Sequence, residues 1–375
     1  MSAAPGGMSG PIPDAGRAAV FAGPGRPFVH RTYPLGPPGP GEVLVRVRMA
    51  TVCGSDLHSW GGRRPSPAPG VLGHEILGTV AALGPGVTCD LRGAPLGVGD
   101  RITWTMFIAC GHCYYCRALD LPQKCTALRK YGHEGAEGVP ALLGGFAEYC
   151  YVLAGTGIVR VPDEVVDEEA TPLNCGVATM VAATEAAAIT VGDTVIVQGL
   201  GLLGLYGVAL ARARGARMVI GLDTVPERLA LGRQFGADLV IDVTGLDGAD
   251  IVQRVRQACP PDGADAVLEV CGVPTVLAEG VQMLRKGGRY AVAGIVFPGA
   301  PVTLDANVLV ARCLTVRGVH NYHPRHLLQA VDFVHRHRRT LPLGALVDAR
   351  FSLAELDAAF VRAAERRVLR AAVVP

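Results

Sequence analysis

Four cysteines, Cys110, Cys113, Cys116 and Cys125, fall within the stretch CGHCYYCRALDLPQKC of a chain that has eleven in all. Four thiolates so placed can complete a tetrahedral zinc shell. A closed shell leaves no position for water or substrate, so the stretch reads as a structural clasp. An iron–sulfur cluster is the rival, but the last gap is longer than in the bacterial ferredoxin run. Disulfides are disfavoured for a chain that stays in a reducing compartment. A catalytic zinc needs three protein ligands and an open fourth position. VCGSDLHSWGG offers Cys53, GVLGHEILG offers His74, and PLNCGVAT offers Cys175. Spacing alone does not select these three, since a lone Cys or His is more often packed than ligating. Cys89, Cys150, Cys259, Cys271 and Cys313 fit no recognised spacing and are expected as small core residues.

A second chemistry lies in VQGLGLLGLYG, where Gly199, Gly201 and Gly204 stand in G-x-G-x-x-G register with Leu202 and Leu203 between the last two. The motif follows the apolar TVIVQ and opens a helix-like run. Glycines there allow a tight turn and close backbone approach to a pyrophosphate, which the helix N-terminus stabilises. Asp223 ends the next strand pattern, near the expected spacing of about 20 residues. Its carboxylate could bond a ribose 2′-hydroxyl and would repel a 2′-phosphate, which favours NAD over NADP. The alternative is a packing turn that binds nothing.

These residues need elements to position them. The chain has 375 residues, long for one hydrophobic core and typical of two domains. Half the residues are hydrophobic and 18% are charged, so a large core can be buried. A net charge of +2 gives no electrostatic reason to expect nucleic acid or an anionic membrane as partner. The Gly/Pro-rich start lacks the basic and apolar regions of a signal peptide, and no stretch reads as a membrane span. Residues 1–16 are expected as a flexible tail and the protein as cytoplasmic. Residues 17–177 read as β-rich, with period-2 stretches such as GEVLVRVRMATV and recurrent Gly/Pro turns. From about Asp193 short apolar strands alternate with helices: TVIVQ, RMVIGLD, ADLVIDV, ADAVLEVCG, GGRYAVAG and LTVRGV are the six strands. They imply a doubly wound parallel sheet in an α/β fold. Residues 178–318 are expected as this nucleotide domain, inserted between 17–177 and 319–375.

CGSDLH, GHE, the four-cysteine lobe, NCGVAT, GLGLLG and Asp223 occur in the order found in one family. Over nearly its whole length beyond the tail, the chain resembles the zinc-dependent medium-chain dehydrogenases (alcohol, sorbitol and threonine dehydrogenases). The resemblance implies a GroES-like β-rich catalytic domain and a Rossmann NAD-binding domain. It implies two zincs per chain. Cys53, His74 and Cys175 would hold the catalytic one with Glu75 beside it, and the lobe cysteines the structural one. Asp56 would orient His74, and Ser55 with His58 would relay the alcohol proton to solvent. Thr179 would face the nicotinamide, Arg228 the adenosine ribose, and Arg370 the pyrophosphate. The family leaves seven residues between the last two lobe cysteines, whereas RALDLPQK leaves eight. Some members have a carboxylate as third catalytic ligand; NC stands there in this chain.

The activity so implied is hydride transfer between an alcohol (or an aldehyde or ketone) and NAD, in a homodimer or homotetramer. CYYC, LPQKC, KYGHE and GVHNY further resemble a bacterial branch labelled phosphonate-catabolism-associated alcohol dehydrogenase, a label that comes from genomic neighbourhood. A cyclitol or polyol dehydrogenase is the enzymatic alternative, and a non-catalytic NAD- and zinc-binding protein the alternative of another class. Trp60, Tyr131, His133, His320 and Tyr322 are candidates to line the substrate site, or to pack.

Overall fold

The computed structural model describes residues 12–138, 140–259 and 261–375. The chain divides into two compact units, Met1–Cys175 with His323–Pro375, and Gly176–Tyr322. Residues 1–11 of the expected tail lie outside the described residues, and β1 (Ala15–Phe21) already takes up its last two.

In the first unit β1 runs antiparallel to β2 (Val29–Pro34) and to β4 (Gly70–Val71). A larger sheet is built on β3 (Val43–Thr51), where Arg46 and Arg48 face solvent while Val45, Val47 and Met49 are buried. That alternation is what a strand with one wetted edge of its face requires. The sheet order is β10 (Ile158–Arg160), β6 (Arg101–Trp104), β5 (Glu75–Leu83), β3, β18 (Ala371–Val374) and β17 (Ala349–Ser352). β9 (Tyr149–Val152) also pairs with β3. β7 (Phe107–Ile108) and β8 (Arg129–Lys130) form a separate antiparallel pair. Phe360, from the C-terminal segment, packs its ring 4.9 Å from that of Phe28 and 5.6 Å from that of Phe146. This aromatic cluster ties the chain's two ends into one core.

The second unit is a six-stranded parallel sheet in the order β13 (Leu239–Asp242), β12 (Met218–Asp223), β11 (Thr194–Gln198), β14 (Ala264–Glu269), β15 (Leu284–Val292) and β16 (Thr315–Gly318). These are the six strands expected from sequence. All five residues of β11 are buried, as in a central strand covered on both faces. The strand order reverses between β11 and β14, the kind of switch point where doubly wound sheets bind ligands outside the carboxyl ends. β16 is an edge strand, and all four of its residues are exposed.

Among the described residues no helix is long and apolar enough to cross a membrane. One expectation is corrected. Cys150 and Cys259 are buried, but Cys89, Cys271 and Cys313 are exposed. The last two sit where the chain leaves regular elements; Cys313 has φ +51 just before β16. A turn position overrides the usual burial of a thiol.

Candidate metal centres and nucleotide turn

Cys53 caps the N-terminus of the helix Gly54–Trp60, directly after β3. His74 and Glu75 stand at the entry to β5, and Cys175 lies in a π-helical turn, Leu173–Val177. The donor atoms of these four residues all lie within 4.8 Å of one another, and all four are buried. Cys53 Sγ is 4.0 Å from Cys175 Sγ, and Cys175 Sγ is 3.4 Å from His74 Nε2. A tetrahedral shell with zinc–sulfur bonds of about 2.3 Å and zinc–nitrogen bonds of about 2.0 Å separates its ligands by about 3.6–3.8 Å. The donors therefore fit one zinc ion. They are too far apart for a disulfide, whose S–S length is about 2.05 Å.

The surroundings hold the donors in place. His74 Nδ1 lies 3.3 Å from Asp56 Oδ1, which leaves Nε2 for the sulfurs. Asp56 also accepts the backbone N–H of Cys53 and, at longer range, that of Gly73. One carboxylate thus ties both ligand segments together, as a metal-bound imidazole normally requires. Asn174 donates from Nδ2 to the His74 carbonyl at 3.0 Å, fastening the Cys175 turn to the His74 segment. Nothing in the sequence marked Asn174 except its place beside Cys175. Burial opposes a charged His74, but Asp56 and Cys53 outweigh it and lift the imidazole to about 10. Glu75 accepts from the Thr51 hydroxyl, while its Oε1 is buried without a hydrogen-bond partner. Burial pushes Glu75 up to about 7 against the pull of Arg370. Arg370 donates to the Val52 carbonyl at 2.9 Å and lies 3.5 Å from Glu75. Its guanidinium is thus engaged beside the cluster.

Ser55 Oγ is 3.4 Å from His74 Nε2, at the donor end of the cluster. His58 lies three residues further along the helix Gly54–Trp60, and so on the same face. Burial, reinforced by Arg63 and Arg64 and opposed by Cys53, holds its imidazole below the usual range.

The lobe cysteines form a second cluster with all four sulfurs within 4.8 Å of one another. Cys113 Sγ is 3.5 Å from Cys116 Sγ and 3.9 Å from Cys125 Sγ, again separations for four ligands around one metal. Backbone N–H groups of Cys110 and Ala127 point at Cys125 Sγ, and that of Cys113 at Cys110 Sγ. Amides of Thr126 and Cys116 help pull the Cys113 thiol down to about 5. The eight residues after Cys116 are folded into a left-handed turn at Asp120 (φ +52) and a 3₁₀ turn, Pro122–Lys124. A loop with that much curl absorbs one extra residue without displacing Cys125.

In the second unit Gly199 has φ +97, and a Cβ there would stand 2.7 Å from that of Cys271. A Cβ on Gly204 would meet the Gly199 carbonyl oxygen, so the helix Leu202–Ala213 could not pack so close to the turn. Gly201, which caps that helix, would point a Cβ into open space, the space a pyrophosphate would use. Leu202 is buried and Leu203 half-buried. The Asp223 carboxylate accepts backbone N–H groups from Leu200 (2.6 Å), Thr224 (2.8 Å) and Val225 (3.0 Å). It therefore braces the glycine turn in addition to any bond with a ribose. Arg228 lies in the first turn of the helix Pro226–Gln234 and Thr179 in the helix Ala178–Ala186, both half-buried.

Of the substrate-site candidates, Tyr131 is committed to Thr156 and the Leu153 amide, and Trp60 packs near Phe360. His133 is different: its ring stacks on His74 with centroids 5.2 Å apart.

Residues 39–163 match the alcohol dehydrogenase GroES-like domain, and residues 203–336 match the zinc-binding dehydrogenase family. A 5-exo-hydroxycamphor dehydrogenase of Pseudomonas putida is 30% identical over 329 residues, 87% of this chain and 90% of its own length. An L-threonine 3-dehydrogenase of Pyrococcus horikoshii is 35% identical over 295 residues, 76% of this chain and 77% of its own. The crystal structure of an alcohol dehydrogenase from Thermotoga maritima superposes with a TM-score of 0.91 at 31% identity, covering 96% of this chain and 99% of that one. The chain belongs to the zinc-dependent medium-chain alcohol dehydrogenases, oxidoreductases that act on alcohols with zinc and NAD(P).

Proposed function

We propose that Cys53, His74 and Cys175 hold the catalytic zinc with Glu75 beside it, and that the four lobe cysteines hold a structural zinc. On this reading NAD, rather than NADP, accepts the hydride. The observation that carries it is the convergence of two sulfurs and one imidazole nitrogen at ligand spacing, with the Ser55 hydroxyl at the same end. Bound there, zinc supplies Lewis acidity that lowers the pKa of an alcohol toward neutrality, and the nicotinamide supplies the hydride acceptor. Ser55 takes the alcohol proton and His58 passes it outward. With its imidazole held below the usual range of about 6.5, His58 is neutral at pH 7 and ready to accept.

In the Rossmann unit the glycine turn would carry the pyrophosphate, Asp223 and Arg228 the adenosine ribose, and Thr179 the nicotinamide. The assignment of Arg370 to the pyrophosphate rests on the family resemblance alone. In a screen of alcohols and polyols read at the nicotinamide absorbance, turnover should favour NAD⁺ over NADP⁺. Asp223→Ser should erode that preference by about tenfold or more, the worth of one charge-assisted hydrogen bond. A wild type that prefers NADP⁺ would overturn the cofactor assignment.

His58→Gln should slow alcohol oxidation near pH 7 by about one to two orders of magnitude, the usual value of general-base help. The sign follows from the depressed pKa: His58 can accept a proton at every pH above it, so the defect spans neutrality. It should shrink at high pH, where hydroxide substitutes, and zinc content should not change. An unchanged pH–rate profile would remove His58 from the relay.

A homo-oligomer, dimer or tetramer, is also proposed. It is supported by the bare edge strand β16 and by Val310 and Val316, both exposed. The mass in solution checks it. Membership of the phosphonate-associated branch rests on the CYYC, LPQKC, KYGHE and GVHNY segments alone.

A further inference from the structure

Lysine occurs at only three positions, Lys124, Lys130 and Lys286, in a chain with 35 lysines and arginines together. One of them, Lys130, ends β8 and opens a turn laid against the His74 segment. Gly132 in that turn has φ +71, and a Cβ there would stand 2.6 Å from the Gly73 carbonyl oxygen and 3.0 Å from the His74 amide. The His133 ring stacks on His74, and its Nδ1 is buried without a hydrogen-bond partner. The bridge between Gly70 and Gly135 and the bond from the Ala136 amide to Pro69 hold the two segments together. From the other side comes Arg64, whose amide bonds the His58 carbonyl at 3.1 Å. Arg64 thus follows directly on the stretch that carries Cys53, Ser55 and His58, and Lys130 opens a turn packed against the stretch that carries His74.

Neither cation has a carboxylate partner among the described residues. Among the described residues, no ion pair or side-chain hydrogen bond is formed by Lys130 or Arg64. Glu134, in the same turn, spends its carboxylate on the Lys130 backbone N–H and on Arg129. Asp56 is committed to His74 and two amides, and Glu75 to Thr51 and Arg370. Burial pushes the Lys130 ammonium down to about 8; Arg64 and Lys124 act in the same direction, and Cys175 and Cys53 oppose them. Two cations on segments that converge at the cluster, with no carboxylate partner among the described residues, make an unfavourable arrangement that a bound anion would relieve once zinc has taken up the thiolate charge. Zinc with two thiolates and a neutral imidazole is electrically balanced, so the surplus positive charge beside it comes from Lys130 and Arg64.

We propose that the alcohol taken by the Cys53–His74–Cys175 centre carries an anionic group, held by Lys130 and Arg64. This rests on the zinc dehydrogenase reading of that centre. A lysine that merely covers apolar surface with its stem would not discriminate between substrates by charge.

The test uses the zinc-loaded enzyme and substrates paired by shape. 3-Hydroxybutyrate is set against 3-hydroxybutyramide, and 2-hydroxypropylphosphonate against its dimethyl ester. The wild type should favour at least one anion over its neutral partner by about tenfold or more in kcat/KM, mainly through KM. The better of the two anions tells whether the group is a carboxylate or a phosphonate. Lys130→Met and Arg64→Met should each lower kcat/KM for that anion at least tenfold more than for its neutral partner, and Lys130→Arg should restore most of the loss. No preference in the wild type, or equal falls for both partners, would overturn the proposal and leave the dehydrogenase reading standing. Should no alcohol at all be oxidised, that reading fails instead. Calorimetric titration with butyrate, propylphosphonate and butyramide then decides the anion question. Tighter binding of an anion that weakens about tenfold in Lys130→Met supports the proposal, and binding indifferent to charge or to the variant overturns it.

Discussion

Cys53→Ala should lower the rate of alcohol oxidation by about three orders of magnitude or more, and reduce zinc from two ions per chain to one. Removing Cys53 Sγ takes one of four donors from the cluster and leaves His74 and Cys175 with Glu75, whose carboxylate is engaged by Thr51 and Arg370, too weak a set to retain zinc against solvent. The Lewis acidity lost is worth several kcal/mol in the transition state, at about 1.4 kcal/mol for each factor of ten. The fold should survive. The bond from the Cys53 backbone N–H to Asp56, which starts the helix Gly54–Trp60, does not depend on the sulfur. Cys53 also lies outside the aromatic and aliphatic core of its unit. Circular dichroism and the thermal midpoint should therefore stay close to wild type. Full activity in Cys53→Ala, or retention of both zincs, would remove Cys53 from the catalytic set.

The parallel sheet was legible in the sequence because each of its signals is local. TVIVQ, RMVIGLD and ADLVIDV are short apolar runs bounded by turns, and they became β11, β12 and β13. The proline of PERLALGRQ stands in the first helical turn, where its missing N–H leaves no bond unmade. The first unit is built the other way. β3 takes its partners β5, β9 and β18 from places as distant as the last residues of the chain. No local pattern marks Ala372 as the neighbour of Thr51. Period-2 stretches marked the segment as β-rich, but its GroES-like arrangement came from the resemblance to a family.

The same distinction runs through the sites. The glycine turn and the four-cysteine stretch are compact in sequence. By contrast, Cys53 and Cys175 are 122 residues apart, and spacing could not choose them from among eleven cysteines. Lys130 and Arg64 were invisible for a further reason: their significance lies in the absence of an acidic partner. That is a property of three converging segments and of no single one.

Cys113→Ala should produce the complementary effect: loss of the other zinc and a fall in the thermal midpoint of about 10 °C, with catalysis largely kept. The lobe has little apolar packing to hold it. Its helix Tyr114–Arg117 and its 3₁₀ turn Pro122–Lys124 contain no buried residue, and Tyr114 and Tyr115 are exposed. Thiolate ligation is then the main source of its folding free energy, as in small zinc domains. A loss of several kcal/mol in a unit of this size corresponds to a midpoint shift on the order of 10 °C. The lobe should also become the first site of proteolytic cleavage. Unchanged zinc content and midpoint would show that the four sulfurs do not bind a structural ion. A collapse of kcat as deep as in Cys53→Ala would mean that the two clusters have exchanged roles. The variant has a further use, because the lobe is closed at its base by β7 and β8, and β8 ends in Lys130. Loosening the lobe should therefore relax the turn that sets Lys130 and His133 against His74. The residual activity of Cys113→Ala should discriminate less between an anionic alcohol and its neutral partner, so the structural zinc would act on substrate choice through the strand that it anchors.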